Sequence, residues 1–293
     1  MMKPVFAKIL DGKINDTYGL KVIDVPFFST DFHFHEECQL TYTIESEGRV
    51  MVGDSIANFN HDELIFVGSN LPHVWHNNNQ YFNHELENAH ARSVSLFVHP
   101  EKILHIFKEP ENIQRLKNFF LLSKRGMKFG LPTKLAVSKL LIKAVSETDE
   151  IKILIVVLEI LNLLCHAKDY QLLSSPGYTN NYQLKDNDKM DRVLKYIFDN
   201  FNTEILLDEV AEMSHMNKYA FCRYFKSRTQ KTFVTFVNEV RIGHACKLLA
   251  ETDQPISDLA YCCGFNNLSN FNKFFKMAKG VTPRTYKKML LLN

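Results

Sequence analysis

The chain has 293 residues, 45% hydrophobic and 23% charged, a balance that supports folded domains and excludes a disordered or fibrous polypeptide. Its formal net charge of +2 hides a division: Ser214 to Asn293 holds 13 Lys and Arg against 4 Asp and Glu, a net of +9, which leaves −7 on the preceding part. A basic C-terminal part following an acidic one points to a polyanionic partner for the former.

The opening Met-Met-Lys-Pro lacks the apolar run of a secretory leader, and the most apolar stretch, residues 151–165, is interrupted by Lys152, Glu159 and Asn162. A cytoplasmic protein with no membrane partner is expected. The six cysteines (Cys38, Cys165, Cys222, Cys246, Cys262 and Cys263) form no Cys-x-x-Cys pair and read as small, mostly buried thiols of a reducing compartment.

In chain order, residues 18–99 predict β structure. Short apolar runs at 40–44, 49–52, 63–67 and 94–98 alternate with turn signals at Ser46-Glu47-Gly48, Gly53-Asp54 and Asn60-His61-Asp62, the pattern of an antiparallel barrel or sandwich. Eight of the 12 histidines fall between His33 and His99. Alternate residues of a strand share a face, so His33 and His35 are expected to point into the barrel, where His73 would complete a three-imidazole set. Residues 101–172 switch to helical periodicity. Residues 135–145 carry an apolar stripe, and 151–165 are apolar nearly all the way round, as in a helix buried on every side. A small barrel has little surface to cover such a helix, so a subunit interface, and hence a homodimer, is the favoured expectation. Residues 173–188, with Ser-Ser-Pro-Gly and several Asn and Asp, read as an interdomain linker.

The rest is helical. Met190, Val193, Leu194, Ile197, Phe198 and Phe201 recur at spacings of three and four. A short helix through Leu207, Val210 and Ala211 leads by a turn at Ser214 to Met216 into a helix capped by Asn217, with Phe221, Tyr224 and Phe225 inward. Thr232 opens a longer helix to about Glu251, spanning about 28 Å at its usual rise. That is close to the ~34 Å between successive major-groove faces on one side of B-DNA. The pattern then repeats. Ile256, Leu259 and Ala260 face inward; Gly264 suits a left-handed cap; Asn266 or Asn267 caps a helix carrying Phe271, Phe274 and Phe275. Thr282-Pro283 opens a last helix with Arg284, Lys287 and Lys288. Phe-Cys-Arg-Tyr-Phe-Lys at 221–226 and Phe-Asn-Lys-Phe-Phe-Lys at 271–276 show a helix-turn-helix written twice, suited to two visits to one DNA groove. By position, Tyr219, Cys222 and Arg223 of the first unit, with Leu268, Ser269, Asn272 and Lys273 of the second, are expected at base edges. Lys226, Lys276 and Arg284 are expected at phosphates.

Residues 207–288 resemble the DNA-binding domain of the AraC/XylS family of bacterial transcription regulators. The first unit matches at Ala211, Asn217 (usually Ser), Phe221, Arg223, Phe225 and Lys226, and the linker helix at Arg241, Ala245, Leu248 and Leu249. The second matches at Ile256-Ser-Asp-Leu-Ala260, Gly264-Phe265, Asn267, Ser269, Phe271, Lys273, Phe275-Lys276, Gly280, Thr282-Pro283 and Tyr286. Gln230 stands where the family usually has Gly. The resemblance implies a sequence-specific regulator, more often an activator, with double-stranded DNA and RNA polymerase as partners and no catalytic role.

The N-terminal region resembles the cupin barrel that serves as sensor in many such regulators, through Phe32-His33-Phe34-His35, Gly48, Gly53-Asp54, Asp62-Glu-Leu-Ile65 and Asn70-Leu-Pro-His73. A small-molecule effector is implied, with His33, His35, Gln39, His73 and Trp75 as wall residues. Metal-binding cupins place a Glu four or five residues after the second His. Here Gln39 and Leu40 hold those positions, and Glu36 and Glu37 come too early, so no metal or other cofactor is expected. The competing reading is a three-histidine metal cupin enzyme with an accessory helical domain. A DNA-alkylation sensor would need a reactive cysteine cluster near the N-terminus, and Cys38 stands alone. The sequence thus predicts an α+β chain: a cupin-like antiparallel barrel with a helical dimerisation segment (1–172), a linker (173–188), and an all-α domain with two helix-turn-helix units (189–293).

Overall fold

The computed structural model describes residues 17–28, 32–82, 90–180 and 187–290. The chain is mixed α+β and divides into two compact units near Asn180.

The first unit contains β1 (Tyr18–Val25), β2 (Cys38–Glu45), β3 (Gly48–Val52), β4 (Ser55–Phe59), β5 (Glu63–Val67), β6 (His73–Asn77), α1 (Asn79–Phe82), β7 (Ala91–Val98), α2 (Pro100–Leu104), α3 (Pro110–Ser123), β8 (Met127–Phe129), α4 (Leu131–Ser146), α5 (Glu150–His166) and β9 (Tyr170–Leu172). A six-stranded sheet has the order β1-β7-β2-β5-β8-β9, and a three-stranded sheet the order β4-β3-β6. In the antiparallel register Leu40 lies opposite both Phe66 and Leu96. These residues, with Cys38, Leu64, Val94 and Val98, form one apolar face that packs against Phe119, Phe120, Val157 and Ile160 of α3 and α5. The alternate residues share the other face. There Gln39, Thr41 and Thr43 stand opposite Phe97, Ser95 and Ser93, and all six are buried. The sheet is therefore covered on both sides, apolar toward the helices and polar toward its interior.

Residues 101–172 are not wholly helical: β8 and β9 extend the large sheet. Strands of three residues are too short for hydrophobic periodicity to reveal. Helix α5 buries one face, through Val156, Val157, Ile160, Leu161 and Leu164, while Ile151 and Ile155 remain 73% and 58% exposed. The stretch read as a linker begins as part of this unit. Ser174 donates its hydroxyl to the Val52 carbonyl at 2.9 Å, its own carbonyl accepts from Arg125 at 2.8 and 2.9 Å, and the Ser175 N–H donates to Asp54 Oδ1 at 2.9 Å. The remainder of that stretch, at 181–186, and the opening Met-Met-Lys-Pro lie outside the described residues.

The second unit is helical: α6 (Asn187–Asn200), α7 (Leu207–Met213), α8 (Lys218–Thr229), α9 (Phe233–Glu251), α10 (Ile256–Cys262), α11 (Leu268–Lys279) and α12 (Pro283–Leu290). Four of its helices, α8, α9, α11 and α12, start on a side-chain cap. Asn217 accepts from the Ala220 N–H at 2.9 Å, Thr232 from Thr235 at 3.2 Å, Asn267 from Asn270 at 2.8 Å and Thr282 from Thr285 at 3.2 Å. Helix α8 ends on Gln230 and α11 on Gly280, both left-handed, at φ 58° and 74°. Phe221 and Phe225 are fully buried, with Phe225 edge-on to Phe233 and Phe236. Phe271 and Phe275 are equally buried against Phe265 and Tyr286. Tyr224 and Phe274, expected inward, are only half-buried, and the Tyr224 ring carries the Arg228 guanidinium at 5.5 Å.

All six cysteines are free. Cys38, Cys246 and Cys263 are buried and Cys165 is half-buried, but Cys222 and Cys262 are exposed. Among the described residues no helix is long and apolar enough to cross a membrane.

Candidate functional sites

The helix pairs α7–α8 and α10–α11 are built alike from residues fifty positions apart. Phe221 and Phe271 close onto the core, as do Phe225 and Phe275, so by the helical period Cys222, Arg223, Asn272 and Lys273 between them turn outward, while Tyr224 and Phe274 stay half-buried. Tyr219, Cys222, Arg223 and Lys226 are all exposed on α8, with Tyr219 at 85%. Leu268, Ser269, Asn272, Lys273 and Lys276 are exposed on α11, and Arg284 on α12. None of the ten residues expected at DNA is buried.

Charge is distributed in two ways across this unit. Lys218, Lys247 and Lys287 pair with Asp208, Glu251 and Asp253, and Lys231 with Glu239. Among the described residues Arg223, Lys226, Lys273, Lys276 and Arg284 form no ion pair. Cations without an acidic neighbour keep their charge for an external anion.

The first unit gathers the predicted wall residues from separate elements. His33 is not on a strand shared with His35. It forms an isolated bridge with His73, through backbone hydrogen bonds of 2.8 and 3.1 Å, that sets their rings 4.4 Å apart. His35 follows in irregular chain, its ring 5.8 Å from that of His33 and 5.1 Å from that of His73. Gln39, from the polar face of β2, has its Oε1 at 3.1 Å from His35 Nε2 and 3.2 Å from His73 Nε2, while its Nε2 donates to Thr41 Oγ1 at 2.8 Å. Thr41 continues to Ser95 at 2.9 Å. Trp75 stands edge-on to His73, with ring centroids 5.6 Å apart. Burial, and then the neighbouring imidazole of His33, lowers His35 to about 4 and holds His73 well below the usual histidine range. The indole N–H of Trp75 and the Oε2 of Glu37 are buried and have no hydrogen-bond partner among the described residues.

Sequence reasoning missed Glu37, Thr41, Ser95 and Phe97 as parts of this interior. The signal was present: Gln-x-Thr-x-Thr at 39–43 and Ser-x-Ser at 93–95 alternate, with the polar residues on the inward phase. Cys38 is fully buried, and desolvation pushes its thiol up to about 12, the opposite of a reactive cysteine.

Residues 210–289 match the family described as a helix-turn-helix domain. The bifunctional transcriptional activator/DNA repair enzyme AdaA of Bacillus subtilis is 32% identical over 109 residues, 37% of this chain and 52% of that protein. The transcriptional activator RhaS of Mannheimia succiniciproducens is 31% identical over 131 residues, 42% of this chain and 47% of its own. The melibiose operon regulatory protein of Escherichia coli is 29% identical over 100 residues, 34% of this chain and 33% of its own. The chain thus spans about half, or less, of the curated relatives it matches. Through its C-terminal helices the chain carries the helix-turn-helix DNA-binding domain of the AraC/XylS family of transcription regulators.

Proposed function

We propose that the protein is a cytoplasmic, non-enzymatic, sequence-specific transcription regulator, acting as an activator alongside RNA polymerase, with two helix-turn-helix units that read successive turns of one DNA face. The observation that carries this is the repeated outward surface of α8 and α11: exposed polar and cationic side chains, set on paired phenylalanines, without internal acidic partners. Arg223 and Lys273 suit guanine, Asn272 suits adenine, and Tyr219 and Leu268 suit thymine methyls; Lys226, Lys276 and Arg284 hold phosphates, while Cys222 and Ser269 flank the bases. The 19-residue α9 separates the two heads by about 28 Å of helix.

The two sheets of the first unit form a cupin-like sensor for a small effector. Support comes from the buried polar face around Gln39, Thr41 and Ser95 and from the unpartnered indole N–H of Trp75, since a buried donor left unmade costs about 1–3 kcal/mol. The exposed apolar residues of α4 and α5 support a homodimer through that surface. Selection of bound sequences from random duplexes at a stated salt concentration tests the regulator reading. Two short motifs about ten base pairs apart are expected, with Arg223→Ala costing about 1–3 kcal/mol on the selected site. Recovery of no motif, or equal affinity of Arg223→Ala for selected and scrambled duplexes, refutes it.

A further inference from the structure

A cavity of about 580 Å³ opens on the helical side of the first unit, where α3 and the start of α2 meet the turn at Ser69-Asn70. That volume is in the range of small-molecule clefts. Cys38 lies in its lining and belongs to the apolar face of the large sheet, whereas Gln39, the next residue, belongs to the polar face. The sheet therefore separates this cavity from the interior that holds Gln39, Thr41 and Ser95. One wall is a single face of α3, on which Lys117, Phe120, Leu121 and Lys124 follow one another at helical spacing. Phe120 is buried, but Leu121 is 67% exposed and has a lysine one turn away on either side. Glu36 and Glu101 complete the charged lining. Among the described residues none of these two lysines and two glutamates forms an ion pair. His99, in the same lining, has its ring Nδ1 buried without a hydrogen-bond partner among the described residues. A polar atom so placed destabilises the fold until something meets it.

We propose that this cavity binds a small zwitterion with an apolar body, of the class of an apolar amino acid or dipeptide. The ligand carboxylate meets Lys117 and Lys124, its ammonium meets Glu36 and Glu101, and its apolar part covers Leu121. A simple acid would satisfy the lysines and leave two carboxylates facing it, and a simple amine would do the reverse. A ligand carrying both charges is complementary to a lining whose four unpaired charges sum to zero. Binding would tie α2 and α3 to the turn before β6, all within the first unit. The inference rests neither on the DNA reading nor on the effector interior, and it stands if either fails.

The test is calorimetric titration of the full chain with leucine, leucyl-leucine, isocaproate (leucine without its amine) and isoamylamine (leucine without its carboxylate). One zwitterion per chain is expected, the tighter of the first two telling amino acid from peptide. Each single-charge analogue should bind about tenfold or more weakly. Replacing both lysines, Lys117→Gln with Lys124→Gln, should weaken the zwitterion by a similar factor. Glu36→Gln with Glu101→Gln should do the same while leaving isocaproate no weaker than before. All four side chains are exposed, so both double variants should melt with the wild type, and melts run alongside verify that. No saturable binding of either zwitterion by the folded chain overturns the proposal. So does isocaproate binding as tightly as leucine and leucyl-leucine, or an affinity that ignores the lysine pair. Loss of binding on Gln39→Ala in a chain that stays folded also overturns it, because that places the ligand on the other side of the sheet.

Discussion

Raising the salt concentration should release the second unit from DNA with a slope set by its unpaired cations. Five cations on or beside the outward faces (Arg223, Lys226, Lys273, Lys276 and Arg284) have no acidic partner among the described residues. Lys218, Lys231, Lys247 and Lys287 already have one and contribute less. If each of the five neutralises one phosphate on a duplex of arbitrary sequence, log affinity falls against log salt with a slope of about −4.5. A rise from about 50 to about 200 mM then weakens binding roughly 500-fold. Fluorescence anisotropy with a labelled duplex of about 24 base pairs, long enough for two adjacent turns, measures this directly. Lys276→Ala should make the slope shallower by about 0.9 and move stability by no more than about 0.5 kcal/mol, since its side chain is exposed. A slope shallower than about −2, or one that Lys276→Ala leaves unchanged, would refute the placement of these cations at the phosphates.

The helix ends make a graded series for thermal or urea unfolding. Gly280→Ala should cost about 1 kcal/mol, because φ is 74° and a Cβ meets nothing within 4 Å; Gly264→Ala should cost clearly more, since its Cβ would lie 2.7 Å from the Phe201 carbonyl oxygen. Equal losses would show that the contact with Phe201 has no energetic weight. Ile155→Arg should convert a dimer to monomers in sedimentation velocity while leaving the fold intact, as Ile155 is 58% exposed; a dimer that persists places the interface elsewhere. In peptide mapping after brief thiol labelling of the native chain near pH 8, Cys222 and Cys262 should be modified and Cys38 spared, because burial holds its thiol at about 12. Rapid modification of Cys38 would contradict the buried position.

What was legible in the sequence depended on whether the signal was local. The helix starts at Asn217, Thr232 and Thr282 are each written within four residues, because capping joins a side chain to an amide just ahead. The outward residues of α8 and α11 were legible for a similar reason: buried phenylalanines at Phe221 and Phe225, and again at Phe271 and Phe275, turn Cys222, Arg223, Asn272 and Lys273 to the opposite side. The half-burial of Tyr224 was not legible, since it depends on Arg228 lying over the ring. In the first unit the His33–His73 bridge joins residues forty positions apart, and no pattern within either segment records it. Strands β8 and β9 pair with each other across α4 and α5 and were lost in the helical signal around them. The polar interior was misleading in another way. Alternation normally marks a wet outer face, yet here the polar phase of β2 and β7 is the enclosed one.

If α8 and α11 read DNA as proposed, the packing of the second unit would make them act as one reader. Helix α9 carries Phe236, which meets Phe225 of α8 on one side and Phe198 of α6 on the other, with ring centroids 5.2 and 6.4 Å away. Farther along α9, Arg241 donates to the Phe201 carbonyl at 2.7 Å and the Thr203 carbonyl at 2.8 Å, while its guanidinium lies 5.7 Å from the centroid of the Phe265 ring, just ahead of α11. Gly264 closes the same junction, where any side chain would strike the turn after α6. The turn after α6 is thus fastened to the α10–α11 side through Arg241 and Gly264, and the last turn of α6 to the α8 side through Phe236. A movement of α6 cannot be passed to one head alone, because α9 is a continuous helix that carries both attachments. Any control exerted through α6 therefore acts on the pair of heads together, changing where they are presented rather than the distance between them.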